Sequence, residues 1–157
     1  MQSKHQLESV MSHVKNKKRI LFLCTGNSCR SQMAEGWARY LKSDIIDPYS
    51  AGIEKHGINP HAVQVMREAG VNIGEQYSKL VDELPVKEFD VVITVCDNAN
   101  EQCPFFLGKT KRLHVSFPDP PKMAISAKTE EEKLNCYRQV RDQIKIFIQS
   151  LPDVLDQ

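Results

Sequence analysis

Apolar residues fall in two kinds of stretch that alternate along the chain: short unbroken runs, and longer segments with helical spacing. Ile20-Leu21-Phe22-Leu23 is an unbroken run, the pattern of a strand buried on both faces of a parallel sheet. A Gly/Asn/Ser segment follows, and then Ser31–Leu41, whose Met, Ala, Glu, Trp and Arg content predicts a helix. Ile45-Ile46 and Tyr49 predict a second strand, closed by Ala51-Gly52. Asn59-Pro60 marks a helix start, since proline is tolerated in the first turn. That helix runs through Ala62, Val65, Met66 and Ala69 and stops at Gly70, a C-cap glycine. Phe89–Val95 is the strongest strand signal, and Arg112–Phe117 predicts a fourth strand. Glu130–Leu151 places Leu134, Tyr137, Val140, Ile144, Phe147 and Ile148 on one helical face.

Strands alternating with helices predict an α/β fold: a single domain with a parallel four-stranded sheet flanked by helices on both faces, layered as in flavodoxin-like, doubly wound proteins. The domain spans residues 18–157. Residues 1–17 form an N-terminal extension in which Leu7, Val10, Met11 and Val14 share a helical face; a short docked helix and a frayed tail both fit it.

Composition narrows the class. The chain has 157 residues, 41% hydrophobic and 26% charged, the range of a globular protein. Twenty-one basic side chains against 20 acidic ones give a net charge of +1, with no basic excess to suit nucleic acid or an anionic membrane surface. No run approaches a membrane span, and the N-terminus lacks the apolar core of a signal peptide. A cytoplasmic monomer is expected. Five cysteines, odd in number and unevenly spread, do not suit a secreted disulfide framework. In a reducing compartment such thiols are buried, metal-bound or redox-active.

The first strand ends at Cys24, where sheets of this kind bind ligands. Cys24-Thr-Gly-Asn-Ser-Cys-Arg30 then supplies Gly26 and Asn27, types that accept left-handed backbone. Consecutive N–H groups can therefore turn inward around an anion, and the following helix aims its positive end at the same point. Arg30 offers a bidentate guanidinium for a tetrahedral oxyanion, and Ser31 can donate its hydroxyl to the thiol. A cysteine in that field is drawn toward thiolate and placed for in-line attack. The plainer alternative is a buried cysteine beside an unrelated loop.

Cys96 and Cys103 follow the strongest strand and bracket a polar segment with neither periodicity. That strand should end beside the first, which would bring Cys96 near Cys24. Both are thereby candidates for redox work, with small apolar filler as the alternative. Zinc does not suit them: there is no Cys-x-x-Cys pair and no nearby histidine, and no metal site is expected. Asp119 sits in a proline-rich loop and reads equally as a turn former or as a positioned carboxyl.

The stretch Cys24-Thr-Gly-Asn-Ser-Cys-Arg-Ser-Gln-Met-Ala-Glu-Gly-Trp37 resembles the loop and first helix of arsenate reductases built on the low-molecular-weight tyrosine phosphatase fold. The similarity continues through Tyr49-Ser-Ala-Gly-Ile-Glu, Asn59-Pro, Val95-Cys-Asp-Asn-Ala-Asn-Glu-Gln-Cys-Pro104, Phe117-Pro-Asp-Pro120 and Thr129-Glu-Glu-Glu-Lys, covering about residues 18–150. The resemblance implies roles. Thr25, Gly26, Asn27, Ser28, Cys29, Ser31 and Arg30 hold arsenate, Cys24 attacks it, and Asp119 protonates the departing oxygen. Cys96 then attacks Cys24 and releases arsenite, and Cys103 closes a Cys96–Cys103 disulfide that thioredoxin reduces; glutaredoxin with glutathione is the alternative reductant. No bound cofactor is implied. Asn27, Glu35 and Ser50 match positions that hold potassium in some members, but Lys79 stands where those members carry a carboxylate, so its ammonium is expected to replace the ion.

Two other functions stay open. A low-molecular-weight phosphatase would share Cys24, Arg30 and Asp119, although Asp-Pro-Pro-Lys lacks the tyrosines that grip an aryl substrate. A thiol redox sensor would use Cys96 and Cys103 without needing the anion loop. Cys29 is expected to contribute its N–H rather than its thiol, and Cys136 to pack. The histidines at 5, 13, 56, 61 and 114 form no evident constellation.

Overall fold

A computed structural model describes residues 17–101, 103 and 109–156. Four strands, β1 (Lys18–Cys24), β2 (Ile46–Gly52), β3 (Val91–Thr94) and β4 (Lys111–His114), form one parallel sheet in the order β2-β1-β3-β4. Ile20, Leu21, Phe22 and Leu23 are fully buried. Successive strand side chains point to opposite faces, so the chain covers both faces of the sheet, as the unbroken apolar run predicted. The N-terminal extension lies almost wholly outside the described residues.

The helices follow the expected segments: α1 spans Arg30–Lys42, α2 Pro60–Glu68 and α5 Glu130–Gln149. Two of these starts have a local cause. Asn59 Oδ1 accepts from the N–H groups of His61 and Ala62 at 2.8 and 3.2 Å, and Thr129 Oγ1 accepts from Glu132 N–H at 3.1 Å, satisfying donors that a helix leaves unpaired. The three helices are tied together beside the sheet. Trp37 Nε1 donates to the Arg141 carbonyl at 3.1 Å, and Arg141 Nη1 donates to the Val65 carbonyl at 2.9 Å.

Three boundaries differ from the sequence reading. β2 runs through Pro48 to Gly52, which an edge strand allows because one side of its ladder is unpaired. β4 stops at His114 rather than Phe117. Val115 and Phe117 still donate to the carbonyls of Thr94 and Val95, but the chain then peels off toward Pro118-Asp119 and the short helix α4 (Pro120–Met123). A single helical turn, α3 (Asp97–Glu101), occupies the polar segment after β3, where periodicity predicted no element.

The chain leaves β1 toward β2 and later crosses back to β3 and β4. This reversal opens a crevice at the carboxyl ends of β1 and β3, the place where doubly wound sheets bind ligands. Leu23 pairs in register with Thr94, so Cys24 and the residues leading to Cys96 emerge side by side. Among the described residues, no helix is long and apolar enough to cross a membrane.

Candidate active site

Cys24 ends β1 with 4% of its surface exposed, and Cys96 is buried to a similar degree. Two chains of polar contacts converge on them. Ser31 Oγ, in the first turn of α1, lies 2.8 Å from Cys24 Sγ, and Asn27 Nδ2 donates to that same Ser31 oxygen at 2.8 Å. On the other side, Thr25 Oγ1 lies 3.3 Å from Cys96 Sγ and accepts from Asn98 Nδ2 at 3.0 Å. Thr25 thus links the first loop to the second cysteine, the proximity expected from the strand order.

The loop between Cys24 and Arg30 is tightly constrained. Asn27 takes a left-handed conformation, with φ of 47°, as asparagine tolerates. Gly26 is not left-handed, contrary to expectation. It is glycine for space: a Cβ there would sit 2.2 Å from the His56 ring. Gly52 at the end of β2 is as confined, because a Cβ would come within 2.8 Å of the Thr25 carbonyl, the Asn27 amide and the Glu54 carbonyl. From behind, Ser78 Oγ and Gln32 Nε2 both donate to the Asn27 carbonyl at 2.6 and 3.0 Å. The Lys79 amide donates to Asn27 Oδ1 at 2.9 Å. No side chain caps the start of α1 at Cys29, and the positive end of the helix lies at the loop.

Beneath the loop sits an ionic cluster. Glu35 is buried and accepts from Ser50 Oγ at 2.6 Å and from Arg39 Nη2 at 2.8 Å. Lys79 Nζ stands 3.8 Å from Glu35 Oε1 and donates to the Tyr77 carbonyl at 2.8 Å. Burial draws the Lys79 ammonium's pKa below its ordinary value, while the Glu35 carboxylate pulls the other way. Burial, reinforced by the neighbouring Cys24, pushes the Cys29 thiol far above its ordinary pKa. This fits a loop residue whose thiol stays neutral.

Arg30 donates from Nη1 to the Phe117 carbonyl at 2.9 Å, and its Nη2 lies 3.8 Å from Asp119 Oδ2. Both groups border a cavity of about 580 Å³ whose wall also includes Thr25, Cys96, Asn98 and Lys122. One open space therefore joins the guanidinium, a carboxyl and the second cysteine. Cys103 stands beyond α3, half-buried against the core. Cys136 lies on α5, its thiol donating to the Glu132 carbonyl.

Three histidines belong to local constellations that sequence reasoning missed. His56 packs on Gly26 and meets Glu54 at 2.6 Å. His61 stacks on Tyr137 and meets Glu130 at 2.8 Å. His114 contacts Thr94 and Asp97. Their partners are distant in sequence or carry no periodic signal, and the same holds for Gln32, Ser78 and Asn98. His5 and His13 lie outside the described residues.

Residues 19–157 match the model of the family described as low molecular weight phosphotyrosine protein phosphatase. The arsenate reductase of Bacillus licheniformis is 52% identical over 129 residues, 82% of this chain and 91% of that protein. The arsenate reductase of Staphylococcus aureus strain Newman is 44% identical over 134 residues, 85% and 95% of the two chains. Among solved structures, an arsenate reductase in the phosphate-binding state superposes with a TM-score of 0.67 at 31% identity, covering 85% of this chain and 95% of its own. The low molecular weight tyrosine phosphatase of T. tengcongensis gives 0.66 at 25% identity, covering 87% and 99%.

Proposed function

The chain belongs to the low molecular weight phosphotyrosine protein phosphatase family, and within it we propose that this protein reduces arsenate to arsenite by a three-cysteine relay. The observation that carries the reading is the placement of Cys96 at the crevice, bridged to the anion loop by Thr25. A hydrolase of this fold needs a nucleophile, an arginine and an acid, and has no use for a second buried thiol at that point. The names of the relatives support the same substrate.

The steps balance as follows. Arsenate sits in the loop amides and against Arg30, and the Cys24 thiolate attacks arsenic while Asp119 gives a proton to the departing oxygen, which leaves as water. Cys96, as thiolate, then attacks Cys24 Sγ. The S–As bond breaks with its electron pair passing to arsenic, so As(V) becomes As(III), and a Cys24–Cys96 disulfide forms. Cys103 attacks Cys96 Sγ, frees Cys24 as thiolate and leaves a Cys96–Cys103 disulfide. An external dithiol of the thioredoxin class restores the pair. A separate resolving cysteine favours that class over glutaredoxin, and dependence on such a reductant suits the cytoplasm.

The same loop would hydrolyse phosphomonoesters weakly, so phosphatase activity alone decides nothing. The departure from aryl phosphatases at Asp119-Pro-Pro-Lys122 favours a small inorganic anion. The Lys79 ammonium beside Glu35 supports a loop propped without a bound potassium ion.

The deciding experiment follows NADPH oxidation with arsenate, thioredoxin and thioredoxin reductase. Turnover is expected, with its loss in both Cys96→Ser and Cys103→Ser. Turnover retained in both variants would overturn the relay. A glutaredoxin–glutathione system in parallel identifies the reductant.

A further inference from the structure

Each carbonyl from Cys24 to Ser28 is taken by a partner. Ile53, Glu54, His56 and Asn59 donate their backbone amides to the carbonyls of Cys24, Thr25, Gly26 and Ser28 at 3.2, 2.7, 3.0 and 2.9 Å. The Asn27 carbonyl accepts from Ser78 and Gln32. In a planar trans peptide the C=O of one residue and the N–H of the next point in opposite directions. The amides of Thr25, Gly26, Asn27, Ser28 and Cys29 are therefore turned away from these partners. Among the described residues, none of the five donates to another backbone carbonyl, an arrangement that suits a ligand accepting several hydrogen bonds. Residues 53–59 thus run beside the loop as a brace that sets the direction of its peptides. One side chain ties down the end of that brace. Asn59 Nδ2 donates to the Tyr137 hydroxyl at 3.1 Å, while its Oδ1 caps α2 through His61 and Ala62. Tyr137 lies on α5, is buried, and stacks on the His61 ring with centroids 5.1 Å apart.

We propose that Asn59 and Tyr137 are positioning residues for the oxyanion: their hydrogen bond holds the Asn59 amide on the Ser28 carbonyl and so keeps the Ser28–Cys29 N–H turned toward the anion. The proposal rests on the reading of this loop as an oxyanion site and is independent of the thiol relay. The Tyr137 hydroxyl gives the brace an anchor on α5, outside the loop, the sheet and α2. Without it the Asn59 side chain keeps only its cap, and the amide beside it is free to drift with the first turn of α2. The peptide it holds can then rotate. Such a rotation withdraws one donor from the anion, and hydrogen bonds to a charged acceptor are among the stronger ones.

The test measures binding of inorganic phosphate by calorimetry, with the thiols kept reduced. Tyr137→Phe removes the acceptor, and Asn59→Ser removes the donor while retaining a capping oxygen. Each is expected to weaken phosphate binding about fivefold, the value of one hydrogen bond. The double variant should be no weaker than either, because both changes break the same link. The KM for p-nitrophenyl phosphate should rise by the same factor, with kcat changed less. Thr129→Ala removes the cap of α5, a contact made to Glu132 and not to the loop; it should lower thermal stability and leave phosphate affinity alone. Unchanged phosphate affinity in both single variants, whatever their stability, would reduce the bond to a helix-packing contact and overturn the proposal. Additive losses in the double variant, or an equal loss in Thr129→Ala, would overturn it as well. Failure of the unaltered protein to bind phosphate would instead remove the oxyanion site itself, a result seen before any substitution is made.

Discussion

The two cysteine-bearing segments at the crevice are held in opposite ways. The loop from Cys24 to Arg30 is pinned by backbone: glycines at 26 and 52 whose added Cβ atoms would strike neighbours, a left-handed Asn27, and hydrogen bonds from Ser78, Gln32 and Lys79 onto that one residue. The segment that begins at Cys96 is tied to its surroundings through side chains, by Thr25, Asn98 and His114, around a single helical turn closed by the Asn100 amide on the Cys96 carbonyl. A loop that must present amides to an anion gains from being built before the substrate arrives. A segment that must carry a thiol from one partner to the next gains from contacts that break one at a time. On the proposed relay the difference divides the chemistry: a fixed half for the anion, a movable half for the electrons.

Removing the movable half should have the largest effect. Cys96→Ser is expected to drop arsenate turnover with thioredoxin to background, by more than about a thousandfold, while hydrolysis of p-nitrophenyl phosphate persists. Parallel loss of both activities would show that the two segments act as one unit and would break the comparison. Steady-state rates on the two substrates measure it.

Disturbing the fixed half should instead lower both activities together. In Gly52→Ala the new methyl would lie 2.4 Å from the Glu54 carbonyl and 2.7 Å from the Asn27 amide. The loop has to shift, and a misplacement of about 1 Å costs on the order of a hundredfold in rate. Reductase and phosphatase rates should fall in proportion. Asp119→Asn should also slow both, by about a hundredfold at high pH-independent saturation of substrate, as expected for loss of a positioned acid. If only arsenate reduction falls, Asp119 serves the thiol exchange rather than the departing oxygen.

The same contrast explains what could be read from the sequence. Backbone-built features leave compositional traces. The apolar run Ile20–Leu23 predicted the sheet that the structure has, and the Gly/Asn loop and the helix behind it predicted a loop whose backbone the structure shows to be tightly confined. Side-chain contacts leave none: His114, Thr94 and Asp97 come from three elements and meet only in the fold. β4 was read three residues too long because Val115 and Phe117 are apolar and still hydrogen bonded to β3, although the chain has left strand geometry. Gly26 was assigned to the right loop for the wrong reason, since its need is set by His56, thirty positions away in the chain. Cys96 was legible because its strand was expected to end beside the first, and β3 does pair with β1, with Leu23 opposite Thr94.

The smallest expected effect concerns the support under the fixed half. Glu35 is surrounded by Ser50, Arg39 and Lys79, and the Lys79 ammonium already supplies positive charge 3.8 Å from Glu35 Oε1. Exchanging sodium chloride for potassium chloride at constant ionic strength should therefore leave arsenate turnover unchanged. Lys79→Gln leaves the buried Glu35 carboxylate with Arg39 and without the second of these two cations, and a less compensated buried charge is costly. The variant should lose activity severalfold and regain part of it in potassium. It should do so for phosphate ester hydrolysis as well, because the cluster supports Asn27 and not Cys96. Strong potassium stimulation of the unaltered protein would mean that the lysine does not stand in for an ion. Stimulation of arsenate reduction alone would mean that the cluster reaches the movable segment, and the division between the two halves would have to be redrawn there.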